Sequence, residues 1–488
     1  MSLSSPKGLA SPSSASASHR ATSAQLREGA PSRAENTKAA VDQPEDRKRT
    51  LNITKLVLIA FASVAGGPYG FEESVGAAGV KYTLVGLVCV PWIWSIPLAL
   101  MTAELSSAMP ENGGHILWVD RAFGSFWSYL NGYWSLYFSI FEGGLYPVLF
   151  LDYIQQLMGH NDLGLFWRLT LGTVLIVITC IINVYGLEAV ASASFYFTCA
   201  SLLPFLAIIV IGLPSVDIAA LNTEPAKPVD WRVFITILLW STAGYDLIGA
   251  CAGEVKNPGK TLVYSMMYAM SASLAIDFCS IAVGFSVIST QSKWVDGTFM
   301  AVAGNLGGPM LQGTFFLGAA ISTVGLLCTL LSTTSRITYG MAMVGTLPAV
   351  FATVDPKTGN PWVAMLMNAG FMATLMVLPF EALAEVEMWF YCLTTVLKFL
   401  SLVRLRHREP DLSRPYKIPL GTAGLQLATV PPLVCCFLVL GLCKPFTLIV
   451  GGVGVAFSIA MYYVNVGFGA GAAKRAGPLM NFDVMTDV

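Results

Sequence analysis

Long apolar stretches alternate with short polar segments along most of the chain. Runs of about twenty apolar residues recur between Leu56 and Val466, and each is long enough to cross the hydrocarbon core of a bilayer. Such runs must be helices, because lipid cannot hydrogen-bond exposed backbone amides, and no alternation with period two points to a β-barrel. The pattern predicts an all-α membrane protein of about twelve spans, at roughly 54–79, 83–106, 125–156, 168–184, 188–213, 232–253, 261–288, 313–340, 362–378, 386–403, 424–442 and 446–466.

Two of these spans are interrupted by residues that do not continue a helix. The first contains residues 66–70, which read GGPYG, and the sixth contains residues 240–246, which read WSTAGYD. A pair of interrupted helices in matching positions is the sequence pattern of an inverted repeat with a binding site between the breaks. We therefore predict inverted repeats with a binding site near the middle of the membrane.

The composition agrees with a membrane location. The chain is 55% hydrophobic and only 12% charged, whereas a soluble domain of this size needs more charge to cover its surface. The ten cysteines and four histidines do not have the spacing of a metal site or a disulfide framework. We predict no cofactor, no metal and no nucleic-acid partner, and no pair of a nucleophile and a base indicates an enzyme.

Charge and composition also predict the ends of the chain. Residues 1–50 are polar and contain no apolar core of a signal peptide, so we expect a disordered tail that is not cleaved. Lys and Arg are concentrated on one side of the predicted spans, which places both termini in the cytosol. The expected organisation is a cytosolic tail at 1–50, a membrane domain at 51–466 and a second cytosolic tail at 467–488, most simply in the plasma membrane.

Carboxylates inside the predicted spans indicate the ligand. An acid at the centre of a membrane helix costs about 2.5 kcal/mol or more, so each one needs a reason. Glu72 and Glu73 follow the first break, Glu142 lies midway along the third span, and Asp246 follows the second break. Fixed anions beside a half-helix start favour an ammonium and disfavour a substrate carboxylate, so we predict an organic cation.

Other charged residues in the spans have structural interpretations. We expect Asp277 and Glu104 to be structural, and Lys398 to extend toward the cytosolic surface. Glu72 and Glu142 are the candidates for proton coupling, because a buried carboxylate without a fixed cation can exchange protons. Aromatic rings beside the breaks can add cation–π contacts. The predicted binding set is Gly66, Gly67, Tyr69, Glu72, Glu73, Glu142, Tyr146, Trp240, Thr242, Tyr245, Asp246 and Tyr391.

Several motifs resemble those of a known family. They are residues 66–75 (GGPYGFEESV), 102–105 (TAEL) with 110–119 (PENGGHILWV), 145–153 (LYPVLFLDY), 253–258 (GEVKNP) and 408–416 (REPDLSRPY). Over about residues 52–466 the chain is similar to the polyamine uptake transporters of plants and trypanosomatids, within the amino acid–polyamine–organocation superfamily. The resemblance implies a leucine-transporter-like fold with a five-plus-five inverted repeat, at about 54–213 and 232–403, and two extra helices within 424–466. It also implies proton-coupled uptake of putrescine, spermidine or related diamines.

The resemblance also implies an amine-binding set at Glu72, Glu142 and Asp246. Two positions depart from the family pattern. The sixth-span break reads STAGYD where relatives usually carry an Asn- and Trp-rich version, and Lys398 stands where many plant relatives have an acid. If Lys398 faced the pathway, it would repel a second ammonium and favour shorter polyamines or a cationic amino acid.

Two other functions remain open from the sequence. A cationic or neutral amino acid permease would need a free half-helix start for the substrate carboxylate, which Glu72 and Glu73 disfavour. A nutrient sensor that does not transport would need a signalling tail, for which residues 1–50 are a candidate.

Overall fold

The structure is a computed structural model that describes residues 51–64, 67–110, 114–159, 163–184, 187–343, 345–355 and 358–469. Within these ranges the chain is helical, apart from one bridge between Leu51 and Val255. The predicted tail at 1–50 and nearly all of the one at 467–488 lie outside the described residues. The helices are α1 (Ile53–Val64), α2 (Glu72–Val90), α3 (Ile96–Ala108), α4 (Gly114–Phe123), α5 (Ser125–Leu157), α6 (Leu165–Val184), α7 (Leu187–Gly212), α8 (Ile218–Leu221), α9 (Trp231–Ser241), α10 (Pro258–Val287), α11 (Thr298–Met343), α12 (Trp362–Leu375), α13 (Phe380–Arg408), α14 (Thr422–Leu442) and α15 (Pro445–Gly469).

Many of these helices have the length and composition of membrane spans. Seven stretches of the described chain qualify by length and apolar character alone: Glu72–Ala108, Leu165–Val184, Pro258–Val287, Thr298–Met343, Phe380–Arg408, Thr422–Leu442 and Pro445–Asn465. Large apolar side chains on α14 and α15 are exposed, for example Leu427 at 73% and Val453 at 65%. Water would not tolerate so extended an apolar surface, whereas lipid does. The chain is an integral membrane protein.

Both predicted helix breaks are present. The first separates α1 from α2, and Gly67 and Gly70 there adopt φ angles of 102° and 80°, which only glycine adopts without strain. The second follows the end of α9, where Gly244 has a φ of 87° and the chain continues as a 3₁₀ segment, Tyr245–Glu254. The glycines at these positions therefore determine where the two helices are interrupted.

The long helices pack around these breaks. Helix α11 lies against α7 and α5, and α13 lies against α5 and α14. Helix α2 packs on α9, and α10 packs on α1. The buried core between them contains large aromatic side chains such as Trp94, Phe205 and Phe315. The two breaks and the middles of α5, α10, α11 and α13 thereby come together.

Several predicted span boundaries differ from the structure. The expected gap at 80–82 is a kink at Gly79 inside α2, with Lys81 paired to Glu224 at 2.5 Å. The span predicted to begin at 313 belongs to α11, which begins at Thr298 and bends at Gly307–Gly308. The span predicted to begin at 386 begins at Phe380. At the start of α13, the charged residues Glu381 and Glu385 pair with Arg232 of α9.

Close packing of α2 gives a first test of the fold. A Cβ atom on Gly76 would lie 2.2 Å from the backbone oxygen of Trp294, which cannot rotate away. We expect Gly76→Ala to lower the free energy of unfolding by about 1–3 kcal/mol, as overpacking does. The measurement is the Tm of the purified protein in detergent. Gly132→Ala is the matched control, because no atom lies within 4 Å of its Cβ position in α5; an equal fall in both Tm values would contradict the prediction.

Candidate functional site

A polar cavity lies between the two helix breaks. It contains about 940 Å³ of space free of protein atoms, its opening included. From the breaks it is lined by Gly67, Pro68, Tyr69, Phe71, Trp240, Ser241, Ala243, Gly244 and Leu247. From the long helices it is lined by Phe138, Glu142, Tyr146, Leu149, Tyr153, Ser273, Asp277, Ser322, Thr323, Leu326, Glu387 and Tyr391.

Three carboxylates line this cavity. Glu142 lies on α5, Glu387 on α13 and Asp277 on α10. Among the described residues, neither Glu142 nor Glu387 has a hydrogen-bond or salt-bridge partner, and Glu387 is only 4% exposed with its Oε2 unpaired. Asp277 accepts one long hydrogen bond, 3.5 Å, from Ser273. No Lys or Arg of the described chain neutralises any of the three, so the wall of the cavity is negatively charged when they are ionised.

Asp246 lies behind this wall. Its Oδ2 accepts a 2.5 Å hydrogen bond from the Lys398 ammonium, and its Oδ1 accepts one of 2.6 Å from the Tyr391 hydroxyl. Lys398 is fully buried, and its Nζ lies 4.8 Å from the centre of the Tyr391 ring. The expectation that Lys398 extends to the surface is therefore wrong. Asp246 therefore does not line the cavity as predicted. The Lys398 ammonium is its counter-charge, and the Tyr391 side chain lies between Asp246 and the cavity.

Glu72 and Glu73 also lie outside the cavity lining. The fully buried Glu72 accepts a 2.7 Å hydrogen bond from the Tyr153 hydroxyl, and its Oε2 is buried without a hydrogen-bond partner among the described residues. Glu73 is within hydrogen-bonding distance of the Asp296 carboxyl, in the segment before α11. Glu72 thus occupies the start of the half-helix, and it reaches the cavity only through Tyr153, which does line it.

The remaining predicted residues divide into two groups. Gly67, Tyr69, Tyr146, Trp240 and Tyr391 line the cavity. Thr242 and Tyr245 are buried elsewhere: the Thr242 hydroxyl donates to the Leu238 carbonyl at 2.7 Å, and Tyr245 is 1% exposed within a second apolar cluster. Gly66 lies outside the described residues.

Sequence reasoning missed several lining residues. Glu387 was placed at the edge of a span beginning at 386, although α13 begins at Phe380 and carries Glu387 two turns inside. Asp277 was expected to be structural, yet it faces the cavity. The helical spacing in the sequence indicates some of these lining residues. Glu387 precedes Tyr391 by four residues and so lies on the same helix face, and residues 138, 142, 146, 149 and 153 share one face of α5.

Interrupted helices around a buried polar cavity define a class of membrane proteins that bind small solutes at the opened backbone. Within that class, the chain belongs to the family described as amino acid permease, whose model matches residues 51–481.

Named relatives are similar over most of their length. Polyamine transporter PUT1 of Oryza sativa subsp. japonica is 35% identical over 398 residues, which is 81% of this chain and 74% of the relative. Polyamine transporter RMV1 of Arabidopsis thaliana is 34% identical over 389 residues, 79% of each chain. More distantly, the serine/threonine exchanger SteT of Bacillus subtilis is 24% identical over 66% of this chain and 74% of the relative.

Proposed function

We propose that this protein is a secondary active transporter that takes up polyamines such as putrescine together with protons. The observation that carries the proposal is the set of three cavity carboxylates, Glu142, Glu387 and Asp277, without a basic partner among the described residues. An ammonium group satisfies a buried carboxylate that would otherwise be costly to ionise. The names of the relatives that are about 35% identical support the same substrate class.

The aromatic side chains of the cavity fit the same ligand. Tyr69, Trp240 and Tyr391 line it together with the carboxylates. Ring faces attract an ammonium by about 0.5–2 kcal/mol, and they also pack against the methylene chain of a diamine. Glu72 supports a cation over an amino acid, because it is an acid in the first turn of α2, directly after the first break, where a substrate carboxylate would bind.

The proposed architecture follows the sequence expectation. It has twelve membrane helices, a leucine-transporter-like five-plus-five inverted repeat at about 54–213 and 232–403, and two extra helices. Alternating access occurs around the two broken helices. We place the protein in the plasma membrane, with the tails at 1–50 and 467–488 in the cytosol around the transporter domain 51–466.

Proton coupling is the second part of the proposal. Glu142 lies on the cavity wall and exchanges a proton against a substrate ammonium, since a carboxylate there needs one or the other cation. Glu72 is the other candidate, linked to the cavity through the Tyr153 hydroxyl. Asp246 has a supporting role in this proposal: it positions Tyr391, whose hydroxyl also accepts a 3.4 Å hydrogen bond from the Gly244 amide at the second break.

Transport by the purified protein tests this function. We expect proteoliposomes to accumulate radiolabelled putrescine and spermidine, and an inwardly directed proton gradient to increase the uptake severalfold. Arginine and leucine should neither be taken up nor inhibit. Uptake of arginine in place of putrescine would identify an amino acid permease instead, and binding of putrescine without flux would identify a sensor.

A further inference from the structure

Glu387 is a buried carboxylate that neither the sequence pattern nor the two helix breaks account for. It lies on α13, lines the cavity and is 4% exposed. No described residue donates a hydrogen bond to it, and its Oε2 is buried without a partner. A carboxylate in such surroundings is stable only when it holds a proton or faces a cation. Lys398, on the same helix, is paired with Asp246.

Glu142 is the neighbour of Glu387 in the cavity wall. Helices α5 and α13 pack against each other, and each contributes one of the two carboxylates. They are close enough for their charges to repel. Two neighbouring carboxylates in an apolar site cannot both be ionised without a cation between them. Together they form an acidic pair, defined here as Glu142 and Glu387.

Aromatic rings flank the acidic pair at one helical turn. Phe138 precedes Glu142 by four residues on α5, and Tyr391 follows Glu387 by four residues on α13. The centres of the Phe138 and Tyr391 rings are 5.7 Å apart in an edge-to-face arrangement. An ammonium beside the acidic pair thus lies within about one helical turn of two aromatic rings as well as beside the carboxylates.

Asp277 provides a second, separate anion. It lies on α10 and lines the same cavity with Ser273. Asp277 reaches the cavity from a different helix than the acidic pair, which lies on α5 and α13. Apolar side chains such as Leu247 and Leu326 also line the cavity. Its wall therefore presents anions at two places together with apolar surface.

We propose that the acidic pair binds one ammonium group of the substrate and Asp277 binds a second, so that the cavity selects linear diamines over monoamines. This inference rests on the proposed function and names the feature of the substrate that the site recognises. With one ammonium and one proton at the acidic pair and one ammonium at Asp277, the three carboxylates are neutralised. The proton travels with the diamine, which accounts for coupling without a further site.

Competition by amines of matched length tests the two-point arrangement. Putrescine and butylamine share a four-carbon chain and differ in the second ammonium. In wild-type proteoliposomes we expect butylamine to inhibit putrescine uptake about tenfold more weakly than unlabelled putrescine, or weaker still. Asp277→Asn and the double variant Glu142→Gln/Glu387→Gln, which removes both charges of the acidic pair, should each weaken inhibition by putrescine by about tenfold or more and bring the ratio of the two inhibition constants toward one. A merely structural role would not change this ratio.

The controls separate this proposal from the general function. Glu224→Gln, in an exposed segment, should keep the wild-type ratio. If the double variant Glu142→Gln/Glu387→Gln does not yield folded protein, Glu387→Asp keeps the charge and should favour the five-carbon cadaverine over putrescine. A wild-type inhibition ratio in folded Asp277→Asn or in the folded double variant, or an unchanged chain-length preference in Glu387→Asp, would overturn the two-point arrangement. If the wild-type protein binds no diamine at all, the proposed function itself fails.

Discussion

Replacing Lys398 with methionine is expected to remove most of the folded protein. Methionine matches the apolar stem of lysine, so the substitution mainly deletes the ammonium that faces Asp246 at 2.5 Å. Both side chains are buried, at 0% and 4% exposure, and no other Lys or Arg of the described chain pairs with Asp246. Breaking such a pair costs about 3–5 kcal/mol, because it leaves one charge buried and uncompensated. That is a large part of the stability of a typical protein. The yield of monodisperse protein and its Tm in detergent measure the loss.

The matched control removes both charges. In the double variant Lys398→Met/Asp246→Asn, the asparagine keeps an oxygen for the Tyr391 hydroxyl, and no charge is left unpaired. We expect it to recover most of the yield and Tm. Lowering the pH should narrow the gap between the single variant and the wild type, because protonated Asp246 carries no charge. A wild-type Tm in the single Lys398→Met variant would show that the pair contributes little.

The same pair changes the expectation for Asp246→Asn. If Asp246 faced the substrate, as its place in the predicted binding set implies, this substitution would weaken uptake and leave the protein folded. In the structure it leaves the Lys398 ammonium buried without its carboxylate. We therefore expect loss of uptake to be accompanied by loss of stability, and only the double variant distinguishes the two effects.

The positions of the two helix breaks could be predicted from the sequence, because they depend on the local conformation of the backbone. The glycines and the proline of residues 66–70 and the glycine at 244 predict the helix breaks, because no other residues adopt these conformations as easily. Glu142 was also identified from its place midway along an apolar run. Such a residue has few structural roles in a membrane.

The pairing of charges could not be predicted in the same way. Asp246 and Lys398 are 152 residues apart in the chain, and nothing local to either residue indicates the other. Whether an acid is neutralised by a base or left free depends on how distant helices pack. For this reason Asp246 was expected in the cavity and is paired behind it, while Asp277 was expected to be structural and lines the cavity.

Glu104→Gln is expected to cause the second large loss of stability. Glu104 lies on α3 and contacts the C-terminal end of α13. The Glu104 carboxylate is fully buried and accepts 2.5 Å hydrogen bonds from both Nε and Nη2 of Arg406. It also accepts a 2.9 Å bond from the Ile418 amide and forms a 3.3 Å ion pair with Arg414. One side chain thus ties α3 to the end of α13 and to the segment that follows it.

Glutamine has the same shape but cannot hold these groups. It offers one acceptor oxygen, and its own N–H groups would face the guanidinium donors of Arg406. Two arginines would be left without their buried counter-charge, at a cost of about 3–5 kcal/mol. We expect a strongly lowered Tm and faster tryptic cleavage within residues 408–417, the segment that Glu104 holds in place.

Glu409→Gln is the matched control at the same end of the molecule. Glu409 pairs with Arg121 at 2.8 Å, but the two side chains are 29% and 43% exposed, so water already screens the pair. Loss of such a surface bridge costs about 0–1 kcal/mol. Both variants replace a carboxylate with an amide. We expect Glu104→Gln to lower the Tm much more than Glu409→Gln does, because only the Glu104 carboxylate is fully buried. Equal Tm values would mean that the Glu104 cluster does not hold α3 and α13 together.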